Sequence, residues 1–431
     1  MHYEANWESL DQRRVPKWFA DAKFGIFIHW GVYSVPAYCD PGKFSEWYQC
    51  WLEHSPRPEV VAYHKQRFGA RSYKDLAELF TAELYDPKAW VKLFERAGAR
   101  YLNITSKHHD GYCLYDAPLA RGWNSVDVGP RRDLCMELRE ACEDSPVKFG
   151  VYHSIMDWNQ PLCATRQFDR YALEYLHPMM KDLIERYQPH TLFTDGEWDE
   201  PDTAWHSVEF LQWLYNDSST RDFIVPNDRW GKGTRTACHG GNATTEYGSH
   251  DGRGEDYVFQ KPFEECRGIG KSFGYNRAEP AENYVSADKL IELLLDQVSK
   301  GGNLLLNIGP TGDGRIPPIM EERLLAIGDW LSVYGDGIYA SRKGPVSHQD
   351  GVWYTAAADG SLYAFLRSFP FGDVVLEDIS YDPTKTASLP GFKGESNPVE
   401  IFNADGRIGL RFRPFPPEAL EAKCCRGVRL G

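Results

Sequence analysis

The amino-acid sequence predicts an α/β fold, a parallel sheet flanked by helices, followed by a small antiparallel β-domain. Two observations carry that expectation. From Lys23 to about Tyr334, short apolar runs of strand character alternate with amphipathic helical segments. Such alternation builds parallel strands, closed as a barrel or open as a doubly wound sheet. After about residue 340 the texture changes to short strand-like runs (Val352-Trp-Tyr-Thr, Leu362-Tyr-Ala-Phe-Leu, Val374-Val-Leu, Val399-Glu-Ile-Phe, Gly409-Leu-Arg-Phe) between Gly, Pro and Asp turns. The expected division is therefore a large α/β domain over residues 1–340 and a β-sandwich over 341–431, with no internal repeat or low-complexity segment in either.

Composition bounds the function. A chain of 431 residues buries a large core, and 42% hydrophobic with 14% aromatic residues describes a folded globular protein. Fourteen Trp suit sugars, whose C–H faces stack on rings, although rings also fill cores. The formal charge of −14 argues against nucleic acid or an anionic membrane as a main partner. The opening Met-His-Tyr-Glu-Ala-Asn-Trp has no basic or apolar signal region, so a cytoplasmic protein is expected, or a secreted or lysosome-like one if a leader has been removed. No apolar run approaches the roughly 18 residues that span a bilayer. The ten Cys show no Cys-x-x-Cys spacing, which indicates neither a zinc site nor a disulfide framework.

The elements follow in order. Lys23 to Gly31 reads as a first strand with Gly25, Phe27 and His29 on one face, placing His29 near its C-terminal tip. Ser45-Glu-Trp-Tyr48 lies in the next loop, where a carboxylate beside two rings either grips a ligand or anchors the loop. Asp86 caps and Pro87 opens a helix with an apolar face at Ala89, Trp90, Leu93, Phe94 and Ala97, stopped by Gly98. The strand Tyr101 to Thr105 then delivers Lys107-His-His-Asp-Gly111 to the rim. Adjacent histidines seldom share one ion and no H-x-x-x-H spacing is present, so ligand hydrogen bonding or a structural role is expected there rather than a metal.

The alternation continues with a helix around Asp133 to Glu143, the strand Val147 to His153, and a helix from about Phe168 to Gln188. After the Thr191 strand come a helix from Ala204 to Tyr215 and the strand Asp222 to Pro226, ending in Asn227-Asp-Arg-Trp-Gly231. Residues 232–275 lack periodicity and read as a long functional loop hiding one strand, for about seven recognisable strands in all. Ser286 caps a strong helix, Asn303 to Ile308 forms the last buried strand, and a helix from about Met320 to Tyr334 closes the series. Gly309-Pro-Thr-Gly-Asp-Gly314 and Gly231-Lys-Gly-Thr234 fail the nucleotide-loop spacings and read as turns.

The working centre is Thr191-Leu-Phe-Thr-Asp-Gly-Glu-Trp198, where Thr191, Phe193 and Asp195 share one strand face and Gly196 ends the strand. A carboxylate at a strand tip is costly to bury unpaired. It either caps a turn or does chemistry at the mouth of a barrel, where strand ends carry catalytic groups.

Several stretches together resemble the α-L-fucosidases of glycoside hydrolase family 29: Phe24 to Gly31, Ser45 to Tyr48, Lys107 to Tyr112, Phe149 to Tyr152, Thr194 to Trp198, Asn227 to Gly231, Ser272 to Asn276 and Ser299 to Pro310. The resemblance implies a distorted (β/α)8 barrel with a C-terminal β-domain and a retaining, metal-free, cofactor-free exo-α-L-fucosidase acting on fucosylated oligosaccharides or glycoconjugates. It implies Asp195 as nucleophile, Glu246 as general acid/base in a Thr-x-Glu-Tyr context, and sugar contacts at His29, Glu46, Trp47, His108, His109, Tyr152 and Arg229. Phe193 stands where several members carry Trp. Rivals to Glu246 are Glu264, Glu255 and Glu197. Asp195 is expected to be held ionised by the histidines or Arg229, and Glu246, beside apolar surface and a negative neighbour, to keep its proton longer. A homo-oligomer is compatible with this reading. The competing expectations are a fucose-binding protein without turnover and a barrel glycosidase of another sugar specificity.

Overall fold

A computed structural model describes residues 2–246, 259, 261–369, 372–422 and 424–431. Eight parallel strands form its centre: β1 (Phe24–Ile28), β2 (Tyr101–Lys107), β3 (Val151–Ser154), β4 (Thr191–Asp195), β5 (Val225–Pro226), β6 (Ala243–Glu246), β7 (Phe263–Gly268) and β8 (Asn303–Ile308). Their order is β5-β4-β3-β2-β1-β8-β7-β6. The sheet is a continuous ladder from β5 round to β6, and the remaining seam is bridged by two backbone bonds, Asn242 N–H to the Pro226 carbonyl (3.0 Å) and Gly241 N–H to the Asn227 carbonyl (3.2 Å). The expectation of a distorted barrel is met, and its distortion sits at this seam.

Region 232–275 departs from the sequence reading, because it contains two strands, β6 and β7, paired in parallel register from Ala243 opposite Phe263 to Glu246 opposite Cys266. Two other strands are shorter than expected. β5 keeps only Val225–Pro226, and the third strand begins at Val151, with Lys148 making one isolated bridge to Tyr101.

The helices begin where their caps direct. Asp86 accepts from Ala89 N–H (3.0 Å), Asp133 from Met136 N–H (2.9 Å) and Ser286 from Lys289 N–H (3.4 Å), each satisfying an otherwise orphaned donor. The segment from Phe168 passes through a π-turn at Ala172–Leu176 and continues as His177–Tyr187, ending at Gln188 in left-handed conformation (φ 46°) before Pro189.

Inside the barrel the side chains stack in layers. Phe19 and Tyr101 pack together near the N-terminal ends of the strands, with ring centroids 5.5 Å apart. Above them Phe27, Tyr152 and Phe193 form an aromatic floor, Phe27 lying 5.0 Å from Phe193 and 5.7 Å from Tyr152. A filled interior confines any ligand to the C-terminal mouth.

The long helix Pro318–Ile338 leads into two antiparallel sheets, one five-stranded and one three-stranded. Leu366, Leu376, Leu410 and Val428 fill the space between them. Phe365 joins this part to the barrel by packing on Trp330 and Tyr334 of the long helix, at centroid distances of 5.6 and 5.8 Å.

The seam leaves no room for a side chain at Gly241, where a Cβ would fall 1.6 Å from the Pro226 carbonyl oxygen. Gly241→Ala should therefore cost about 1–3 kcal/mol of stability. Urea unfolding followed by tryptophan fluorescence measures it, and an unchanged midpoint would mean the seam opens freely.

Candidate active site

At the C-terminal mouth of the barrel lies a cavity of about 190 Å³. Alternation along β1 and β4 turns Phe27 and Phe193 toward it, with His29 just past the end of β1 and Asp195 closing β4. His108 and His109 enter from the turn after β2, and Glu46 and Trp47 from the short 3₁₀ segment Ser45–Trp47. Tyr152 comes from β3, Arg229 from the loop after β5, and Glu246 from the tip of β6. Every residue assigned by resemblance therefore lines one cavity. Phe44, Trp198, Arg235, Cys266 and Phe273 line it too and were not among the expected site residues.

Arg229 governs the electrostatics. Its Nη1 donates to Asp195 Oδ1 (2.7 Å) and its Nη2 to Glu246 Oε2 (3.1 Å). Asp195 Oδ2 also accepts from the Tyr152 hydroxyl (3.0 Å) and lies 3.6 Å from His109 Nε2. Burial alone would raise the Asp195 pKa, yet the Arg229 charge and these hydrogen bonds outweigh it and hold the carboxyl below its ordinary value. Of the neighbours expected to hold Asp195 ionised, Arg229 contributes most and His109 less. For Glu246, the apolar setting expected of it is replaced by a guanidinium contact.

The histidines are neutral acceptors. Asn307 Nδ2 donates to the Phe273 carbonyl (2.7 Å), which leaves Asn307 Oδ1 to accept from His29 Nδ1–H (2.6 Å). Ser154 donates its hydroxyl to the Met156 carbonyl (2.7 Å), so its oxygen accepts from His109 Nδ1–H (2.6 Å). Both rings therefore present a bare Nε2, and burial drives both pKa values down to about 4. His108, also buried and with its pKa pushed well below normal by burial and by His109, stacks 13° from parallel on Tyr152.

Glu46 is 3% exposed and accepts from Gly274 N–H (2.8 Å) and the Ser272 hydroxyl (3.2 Å); burial pushes its pKa up to about 7. Asp110 turns away from the cavity to accept from the Tyr73 hydroxyl (2.6 Å), so the His-His-Asp run does not act as a unit.

Two rivals for the acid/base role lie elsewhere. Glu264 is near the start of β7, buried under the aromatic floor, with Tyr101 donating to it at 2.5 Å. Glu197, two residues beyond Asp195, is 3% exposed and does not line the cavity. Glu255, and Tyr247 of the Thr-x-Glu-Tyr run, lie outside the described residues.

Two carboxylates from separate strands, spanned by one guanidinium beside neutral hydrogen-bond acceptors and rings, match the arrangement by which glycoside hydrolases cleave a glycosidic bond, the class to which the protein belongs. A family model described as Alpha-L-fucosidase matches residues 1–336. The tissue alpha-L-fucosidase of Bos taurus is 39% identical over 438 residues, covering 99% of this chain and 91% of the bovine one. The alpha-L-fucosidase of Branchiostoma floridae is 40% identical over 405 residues, covering 90% of this chain and 87% of its own. The crystal structure of Thermotoga maritima alpha-fucosidase in complex with fucose superposes with a TM-score of 0.83 at 34% identity, covering 100% of both chains. The chain belongs to the α-L-fucosidase family.

The buried acids set a pH dependence of stability. Burial raises Glu264 to about 7 in the folded protein, above the roughly 4.3 of an unperturbed Glu. Its contribution is fully present below the unfolded value and is lost as pH climbs through the folded one. Glu264→Gln should therefore gain stability relative to the parent between pH 4.5 and pH 7.5, the two denaturation series converging or crossing. Parallel series would show that Glu264 does not titrate in that window.

Proposed function

We propose that the protein is a retaining exo-α-L-fucosidase in which Asp195 is the nucleophile and Glu246 the general acid/base, with residues 1–340 as the catalytic domain and 341–431 as the β-sandwich domain. The observation that carries this reading is the Arg229 bridge, since one guanidinium can span both carboxylates only if they face the same small space. Retaining enzymes need two carboxyl groups about 5–5.5 Å apart, one to attack and one to exchange a proton with the leaving oxygen.

In the first step Asp195, ionised beside Arg229 and Tyr152, attacks the anomeric carbon while Glu246 gives its proton to the departing oxygen. The Glu246 contact with Arg229 loosens as the substrate oxygen takes its place. In the second step Glu246 takes a proton from water, which attacks the fucosyl–Asp195 ester and frees the sugar with its original anomeric configuration. The bare Nε2 atoms of His29 and His109 accept from sugar hydroxyls, Glu46 offers further oxygen atoms, and Trp47, Phe193 and Phe273 give apolar surface to the 6-methyl group. A pocket floored by Phe27, Tyr152 and Phe193 admits one terminal residue, which supports exo action on the fucosylated ends of oligosaccharides or glycoconjugates.

Asp195→Gly should lower kcat on 4-nitrophenyl α-L-fucoside by at least about a thousandfold, and a 2-deoxy-2-fluoro-fucosyl donor should label Asp195 in the parent protein. A label on another residue would overturn the nucleophile assignment. Glu246→Gln should cost roughly 10²–10⁴ in kcat with a sugar leaving group and far less with fluoride, which leaves without a proton. Equal losses on both substrates would remove Glu246 from the acid role, and faster release of galactose than fucose from aryl glycosides would overturn the specificity.

A further inference from the structure

Around the cavity mouth lie two features to which the proposed reaction at Asp195 assigns no task. The first is aromatic: Phe44 and Trp198 line the cavity and are each 36% exposed, the largest exposures among its rings. Trp198 is not a stray surface ring. It lies nearly parallel to Trp47 (5.6 Å, 27°), which stacks on Trp51 (5.5 Å, 26°) and meets Trp158 edge-on (5.3 Å), so the exposed indole is backed by three more. A water-exposed indole face backed by other rings offers apolar area that leaves water only when another ring stacks on it.

The second feature is cationic. Arg235, on the short helical turn Thr234–Ala237, lines the same cavity beside Glu246. Its guanidinium makes no hydrogen bond or ion pair to a described residue, and its Nε is buried without a partner. A guanidinium with free donors facing a cavity is an unused hydrogen-bonding fork. Arg229, by contrast, is fully engaged with the two carboxylates.

We infer that Phe44, Trp198 and Arg235 form the leaving-group subsite, and that its occupant is the pyranose to which the fucosyl residue is attached. This rests on the fucosidase reading above. The sugar under attack fills the closed end of the cavity, so the group bonded to its anomeric oxygen lies toward the opening. A pyranose has one relatively apolar C–H face for Trp198 and an edge of hydroxyl, ring or amide oxygens for Arg235. A purely aromatic leaving group would use the indole and leave the guanidinium idle. The subsite therefore favours sugar over aryl leaving groups beyond what their chemical reactivity accounts for, and its two halves make separable contributions.

The test compares kcat/KM on an α-L-fucosyl-galactose disaccharide with kcat/KM on α-L-fucosyl fluoride, whose leaving group reaches neither residue. Trp198→Ala should lower the disaccharide-to-fluoride ratio roughly tenfold, with Trp198→Phe restoring part of it. Arg235→Gln should lower the ratio by about tenfold or more, as loss of a charged donor does. Against phenyl fucoside, whose leaving group carries no acceptor beyond the departing oxygen, Trp198→Ala should show a penalty and Arg235→Gln little or none. Ratios within twofold of the parent in both variants, across α-1,2, α-1,3, α-1,4 and α-1,6 disaccharides, would overturn the subsite. Calorimetry on the Asp195→Asn background separates this failure from failure of the catalytic reading. There the ratio of disaccharide to fucose affinity should fall on adding Trp198→Ala, whether or not the parent turns over, and a ratio that does not move would again overturn the subsite.

Discussion

The site depends on one cation placed between two anions. Asp195 and Glu246 converge on a small cavity in a low-dielectric interior, where two carboxylates without a counter-charge cannot both stay ionised. Arg229 supplies that charge and is itself pinned. Its carbonyl accepts from the Thr194 hydroxyl (2.7 Å) and its Nε donates to Thr244 Oγ1 (3.3 Å), while Thr244 donates to Asp228 (2.7 Å). These bonds tie β4, the loop after β5 and β6 to one guanidinium. A buried ion network of this kind returns little stability for the desolvation it requires. Its presence is explained by what it holds in register.

The neutral histidines complement that arrangement. Were His29 or His109 protonated, the cavity would contain further positive charges competing with Arg229 for Asp195. Burial and the Nδ1 bonds to Asn307 and Ser154 keep both rings uncharged and direct their lone pairs inward. Charge balance is thus carried by Arg229, helped by the Tyr152 hydroxyl, while the imidazoles and rings of the cavity stay uncharged. The net acidity of the chain has no direct part in that balance.

Sequence reasoning reached the parts of the fold where local pattern and tertiary role coincide. Asp195 stood out because an alternating strand ends on a carboxylate followed by Gly196, and His29 because its strand has the same form. Only one strand, unplaced, was expected where β6 (Ala-Thr-Thr-Glu) and β7 (Phe-Glu-Glu-Cys-Arg-Gly) lie, because they carry charged and hydroxyl side chains into a polar part of the barrel, where no apolar alternation marks them. β5 was recognised but overextended, because, of the apolar run Asp222 to Pro226, only Val225–Pro226 pairs in the sheet. Glu246 and Arg229 were reached only through family resemblance, because their pairing joins residues 17 positions apart across the seam. Arg235 gave no signal at all: a lone Arg in a Gly-rich stretch is indistinguishable from an ordinary surface charge until the cavity is seen.

The seam between β5 and β6 has a further consequence. Asp195 and Glu246 lie near opposite ends of the same ladder, on β4 and on the terminal strand β6, and between β5 and β6 they are joined by two backbone bonds. The separation of the two carboxyl groups is therefore set by the least regular join in the barrel. A shift at this join would move Glu246 relative to Asp195 while leaving the pairing of β3 with β4 intact.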